Sequence, residues 1–213
     1  MTVKTDHRQR ILDKASDQFF ALGYARVTMD ELAKALGMSK KTLYKHFPSK
    51  ADLLRAIVQD FIRKVIAEQD RILNDKTLDF EKRLSELLKL LVRLLSKINP
   101  SLMRDVQRTA PDVWEIIEQT RQKRINTVFG GLLREGQQKG YVRRDLHLPL
   151  VIMAMAATIR ETLNPTAVSQ FPVSLIDAFE TVRSIFLGGI LTDQGRQKFS
   201  TGIGFSESEK VTL

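Results

Sequence analysis

Apolar residues recur along most of this chain in steps of three and four, the period of one face of an α-helix. A sustained two-residue alternation, the mark of a half-buried strand, is found nowhere. The pattern predicts helices near residues 7–22, 28–35, 39–45, 49–74, 78–98, 100–108, 112–138, 147–163 and 172–191. The prolines agree with it. Pro48, Pro100, Pro111, Pro149, Pro165 and Pro172 lie between these segments or at their starts, where a missing N–H is harmless, and not in their interiors. The fold class expected is therefore all-α, with about nine helices. Residues 193–213 show no sustained period and are expected to form a loose tail.

The first quarter is punctuated most clearly. Ile11, Ala15, Phe19 and Leu22 share one face of the first helix, which stops at Gly23. Thr28 and Glu31 stand at capping-box spacing, with Val27 and Leu32 placed as a hydrophobic staple around them. That second helix ends at Gly37. Ser39 then caps a third, with Met38 and Leu43 as its staple, and Phe47-Pro48 closes it before Ser49 and Asp52 open a fourth. Two short helices joined by a tight turn containing glycine describe a helix-turn-helix. At about 100° per residue, Lys41 and Lys45 come out roughly 160° from the inward Leu43. Thr42 and Tyr44 lie at about 100° on either side of Leu43.

Charge strengthens that picture. The 213 residues carry 34 Lys plus Arg against 25 Asp plus Glu, a formal +9. Residues 1–50 alone hold +5 of it, so a nucleic-acid surface is expected there. With 43% hydrophobic and 28% charged residues the chain has the profile of a folded globular protein. Cysteine is absent, which removes disulfides, thiolate metal sites and a cysteine nucleophile. The histidines, at 7, 46 and 147, are scattered, and no phosphate loop, nucleophile elbow or carboxylate cluster occurs. Catalysis, a metal and a cofactor are therefore not expected. Charge among the first eight residues argues against an export signal, and the near-apolar run 148–159 is too short to span a bilayer. A cytoplasmic protein without membrane attachment is expected.

The stretch Thr28-Met-Asp-Glu-Leu-Ala-Lys-Ala-Leu-Gly-Met-Ser-Lys-Lys-Thr-Leu-Tyr-Lys-His-Phe-Pro-Ser-Lys-Ala-Asp-Leu-Leu54 resembles the signature of the TetR family of bacterial transcriptional regulators. The likeness covers about residues 8–60, and Gly140 to Pro149 is a weaker echo of the family's entry into its eighth helix. Lys41 stands where glycine is frequent in the family, which leaves the base preference open. The resemblance implies that Thr28, Ser39 and Lys40 lie at helix starts facing phosphates. It further implies that Lys41 and Thr42 reach the major groove with Lys45 at its edge, that Tyr44 and His46 support phosphate contacts, and that Lys50 anchors the duplex. The domains expected are a helix-turn-helix domain over 1–50, a ligand-binding and dimerisation domain over 51–192, and the tail.

In the last helix Leu175, Phe179, Val182, Phe186 and Gly189 follow steps of 4, 3, 4 and 3, a heptad-like seam. Together with the apolar segment 150–157 it suits a four-helix interface between identical subunits, and the resemblance implies the same homodimer. The resemblance also implies a ligand pocket. Met103, Val106, Trp114, Phe129, Met155 and Thr158 are its candidate walls, and Arg104, Gln107, Asn126 and Glu161 its candidate polar groups. Few charges interrupt these stripes, which favours an apolar or amphipathic ligand. Gly130-Gly131 points to a kink or a close approach within the seventh helix. The function expected is a DNA-binding regulator that represses from a palindromic operator on double-stranded DNA until a small molecule releases it. The alternatives are an architectural DNA-binding protein without a ligand and a helical enzyme.

Overall fold

A computed structural model describes residues 7–200, the side chains at 165, 166 and 200 excepted. The elements are α1 His7–Leu22, α2 Met29–Ala35, α3 Lys40–His46, α4 Lys50–Asn74, α5 Phe80–Lys97, α6 Pro100–Thr109 and α7 Pro111–Arg124. A π turn, Ile125–Phe129, runs on from α7 into α8 Gly130–Gln138; α9 Leu148–Thr162, α10 Pro165–Val168, α11 Leu175–Ile190 and α12 Asp193–Ser200 follow. The fold is all-α. Among the described residues β structure is confined to one antiparallel bridge between Val142 and Leu191, and no helix is long and apolar enough to cross a membrane.

The chain divides into two compact units, and the division does not fall at residue 50. One comprises residues up to Ala67 with Lys97–Thr120; the other comprises Glu68–Ser96 with the residues from Arg121 on. Three short helices bury only a small fraction of their apolar surface against one another. In the first unit Ile11, Phe19, Val27, Leu32 and Leu43 are covered by Leu53, Leu54 and Ile57 of α4 and by Leu102, Val106 and Val113 of α6 and α7. Asp105 of α6 accepts a hydrogen bond from the Ala25 N–H at 3.0 Å, fixing the turn after α1. Arg55 of α4 pairs with both Asp52 and Asp112.

The caps read from the sequence are formed. Thr28 Oγ1 accepts from the Glu31 N–H at 3.2 Å, and Glu31 Oε2 accepts from the Thr28 N–H at 3.0 Å. Ser39 Oγ accepts from the Thr42 N–H at 3.1 Å. Gly37 makes the turn between α2 and α3 at φ +64, a conformation that side chains with a Cβ rarely adopt. The Thr28 hydroxyl and then the Thr28 N–H hold the Glu31 carboxyl below the ordinary glutamate value. A depressed carboxyl stabilises the fold above its unfolded pKa of about 4.3 and loses that contribution as pH falls through the folded value. Thr28→Ala is expected to cost about 1 kcal/mol near neutral pH, the worth of an N-cap. Urea melts should show the gap between variant and wild type narrowing in acid; a gap that widens would contradict the box.

In the second unit α5, α8, α9, α11 and α12 surround a core that includes Leu84, Leu88, Leu132, Ile152, Met155 and Phe179. Gln69, a buried polar residue at the end of α4, accepts from Arg124 Nε at 2.7 Å, and Asp70 beside it accepts from Arg124 Nη2 at the same distance. In three places the structure departs from the pattern of the sequence. The expected single helix 112–138 is interrupted by the π turn, which ends just before Gly130. A Cβ on Gly130 would stand 3.2 Å from Ile152 Cδ1, so this glycine serves a close approach of α9. Residues 193–200 are not loose: they form α12, where Thr192 Oγ1 accepts from the Gly195 N–H at 3.0 Å in the manner of an N-cap and Phe199 is buried. The rest of the expected tail, 201–213, lies outside the described residues, as do residues 1–6. Helix α11 is the third such place. Leu175, Phe179 and Val182, expected between subunits, are buried in the chain's own core.

Candidate nucleic-acid interface and ligand cavity

The helix-turn-helix surface is built on α3. Leu43 is fully buried and Phe47 nearly so, which fixes the rotation of the helix. Lys41, Thr42, Tyr44 and Lys45 are consequently exposed on its other side. Ser39 and Thr42 bring their hydroxyls to 2.9 Å at the start of this helix. Lys40, also exposed, forms an ion pair with Asp30 of α2. An exposed pair of this kind is worth little, so a phosphate could replace the carboxylate.

The remaining expected contacts are more engaged with the fold. The Thr28 hydroxyl is occupied by Glu31 in the cap. His46 is half-buried, its ring centroid 6.5 Å from that of His7 on α1. Lys50 is half-buried, with Nζ 4.3 Å from the centre of the Tyr24 ring. Burial lowers its ammonium below the usual lysine value, against the opposing pull of Asp105 and Glu31. Three neighbours of this surface are not among the residues expected there. Arg8 lies 5.2 Å from the centre of the Phe47 ring, His7 stands beside His46, and Asp30 faces Lys40. No spacing rule connects residues 7 and 8 with 46 and 47, because the loops between α1 and α3 set that proximity.

In the second unit a cavity of about 70 Å³ is walled mainly by Phe80, Leu84, Leu88, Phe129, Met155 and Phe199. Of the ten residues expected to form a pocket, only Phe129 and Met155 line it. Met103, Arg104, Val106, Gln107 and Trp114 belong to the first unit, where Val106 is core, Trp114 packs against that core and Arg104 is exposed. Asn126 and Glu161 are exposed, and Thr158 is half-buried away from the lining. One charged side chain, Arg183, is among the residues that line the cavity, and its Nε donates to Glu180 Oε2 at 2.6 Å. Among the described residues no cluster of three or more His, Asp or Glu side chains could hold a metal ion.

A capped pair of short helices with a lysine-bearing exposed face, in an all-α chain, defines a DNA-binding protein of the helix-turn-helix class. The family model for bacterial regulatory proteins of the tetR family matches residues 11–57. The nucleoid occlusion factor SlmA of Photobacterium profundum is 30% identical over 161 residues, spanning 73% of this chain and 79% of that one. The HTH-type transcriptional regulator YvaF of Bacillus subtilis is 24% identical over 167 residues, spanning 78% and 87%. Among solved structures, SmeT, the repressor of a Stenotrophomonas maltophilia multidrug efflux pump, superposes with a TM-score of 0.64 at 20% identity, covering 89% of this chain and 92% of that one. The chain belongs to the TetR family and is a DNA-binding transcriptional regulator. These relatives are regulators and DNA-associated factors, not enzymes.

Proposed function

We propose that the protein is a homodimeric repressor that holds a palindromic operator through α3 and leaves it when a small molecule occupies the second unit. The observation that carries the DNA side is the exposed Lys41, Thr42 and Lys45 face opposite the buried Leu43. In this reading Lys41 and Thr42 reach base edges in the major groove with Lys45 at its margin. Ser39, Lys40, Tyr44 and His46 meet the phosphates, and Thr28 and Lys50 support them. One seven-residue helix reads too few base pairs for selectivity, so a second copy is needed.

The dimer surface is assigned to the faces of α9 and α11 that the core leaves uncovered. Leu150, Met153 and Ile185 are 57%, 62% and 66% exposed, and Gly188 and Gly189 lie bare on the same helix as Ile185. Of the seam expected between subunits, Gly189 stays in this surface. A second reading, a DNA-bound factor that needs no small molecule, is favoured by the likeness to a nucleoid occlusion factor.

Selection of genomic fragments by the purified protein, followed by release assays, separates the two. A repressor selects a short palindrome and loses it to an effector. Thermodynamic linkage requires such an effector to bind the operator complex more weakly by the same factor. Operator affinity is expected to fall steeply with salt, with a log–log slope corresponding to about 6–10 phosphates per dimer. A slope near zero in a fluorescence anisotropy titration would be incompatible with the lysine-rich face as the contact surface.

A further inference from the structure

Sites that enclose a small organic molecule run to roughly 300–1,000 Å³. The cavity of the second unit measures about 70 Å³, and one of its walls is the ring of Phe199. That ring arrives from α12, eight residues long, and is only 6% exposed. Its centroid is 6.0 Å from that of Phe80 and 5.8 Å from that of Tyr141. The rest of α12 is held by polar contacts at the surface, among them Arg196 Nη1 donating to the Gly188 carbonyl of α11 at 2.9 Å. Gly195 is buried, but Asp193, Gln194, Arg196, Gln197 and Lys198 are exposed, and the ion pair of Lys198 with Glu81 on α5 spans 3.8 Å. Phe199 therefore fills space that belongs to the interior, and it is the one buried hydrophobic side chain among the described residues of its helix.

The walls also set the chemistry of an occupant. Arg183 is the one charged residue among those that line the cavity, and Glu180, one turn earlier on α11, compensates it. An anion would have to compete with Glu180, and a cation would meet the like charge of Arg183 among apolar walls; both are costly. A neutral molecule meets neither obstacle.

We propose that Phe199 is a built-in plug, and that the cavity takes a neutral, predominantly hydrocarbon small molecule which enters by displacing this ring together with α12. The ligand then packs against the apolar walls that the ring has left, and keeps them from water. This inference rests on the reading that a small molecule acts through the second unit.

Two variants open the site by different routes. Phe199→Ala removes the ring. Gly195→Ala leaves it in place but puts a Cβ onto the Tyr141 carbonyl oxygen, so α12 must shift. The full chain is titrated with N-phenylnaphthylamine, which is neutral and fluoresces in apolar surroundings, and with anilinonaphthalenesulfonate, the same rings carrying an anion. Each variant is expected to bind the neutral probe about tenfold more tightly than wild type, with less than about twofold gain for the sulfonate. Equal affinity of wild type and both variants for the neutral probe would overturn the plug. Equal gains for both probes would overturn it too, since they report a loosened core and not a selective site. Phe199→Leu, which keeps an apolar anchor, is expected to show a smaller gain of the same sign should the alanine variant not fold. Operator release is read separately on the same variants. Tighter probe binding without release would leave the plug standing and remove the effector role.

Discussion

Replacing Lys41 and Lys45 together by alanine is expected to abolish specific operator binding while leaving the fold intact. Both side chains are exposed on α3, and neither takes part in the core around Leu43. Substitutions at such positions usually change stability by less than about 0.5 kcal/mol, which keeps the melting temperature within roughly 2 °C for a chain of this size. Each contact to a base or phosphate is worth about 1–3 kcal/mol, and the double change removes four per dimer, so affinity should fall by more than about a hundredfold. Circular dichroism melts and anisotropy titrations on a selected operator decide it. Retained binding would move the interface off this face. A large loss of thermal stability would mean that the lysines support the fold and not the DNA.

The second large effect concerns assembly. Ile185→Glu places a carboxylate in the middle of the uncovered face of α11 and is expected to yield a monomer by light scattering. Operator affinity should drop at least about tenfold with it, because each half-site is then bound alone. Val182→Ala, one turn away on the buried side, makes the contrast. It should lower stability by about 2 kcal/mol through reduced burial and leave the dimer as it was. Should Ile185→Glu remain dimeric, the interface lies elsewhere.

The contrast between Ile185 and Val182 also shows where sequence reading reaches its limit. Apolar periodicity places α11 to within a few residues, but this helix is apolar on more than one side. Leu175, Phe179 and Val182 form as regular a stripe as any interface, and nothing in their spacing tells an internal partner from an external one. The first unit is more legible, because capping is local chemistry. Thr28 with Glu31 and Ser39 with Thr42 can be read at a distance of three residues, and they fix the orientation of α3 once Leu43 is buried. What covers that core cannot be read in the same way, because Leu102, Val106 and Val113 come from about sixty or more residues beyond Leu43, past α4 and α5. The cavity is the least legible part. Phe199 lies in a segment whose composition reads as irregular, and its burial depends on Gly195 meeting the Tyr141 backbone, a contact between residues more than fifty positions apart.

The π turn at Ile125–Phe129 bears on how this chain compares with its kin. A turn closed by i→i+5 hydrogen bonds holds one residue more than an α turn, so the helix absorbs an extra residue locally. Arg124, just before it, keeps Gln69 and Asp70, and Leu132 and Leu133, just after it, keep the core. Removing one residue within the turn would let the ladder close as a regular helix without rotating either flank. Insertion and deletion are normally tolerated in loops and punished inside helices. Here a helix interior carries a site where chain length can change by one, so related chains should align across it with a single-residue gap.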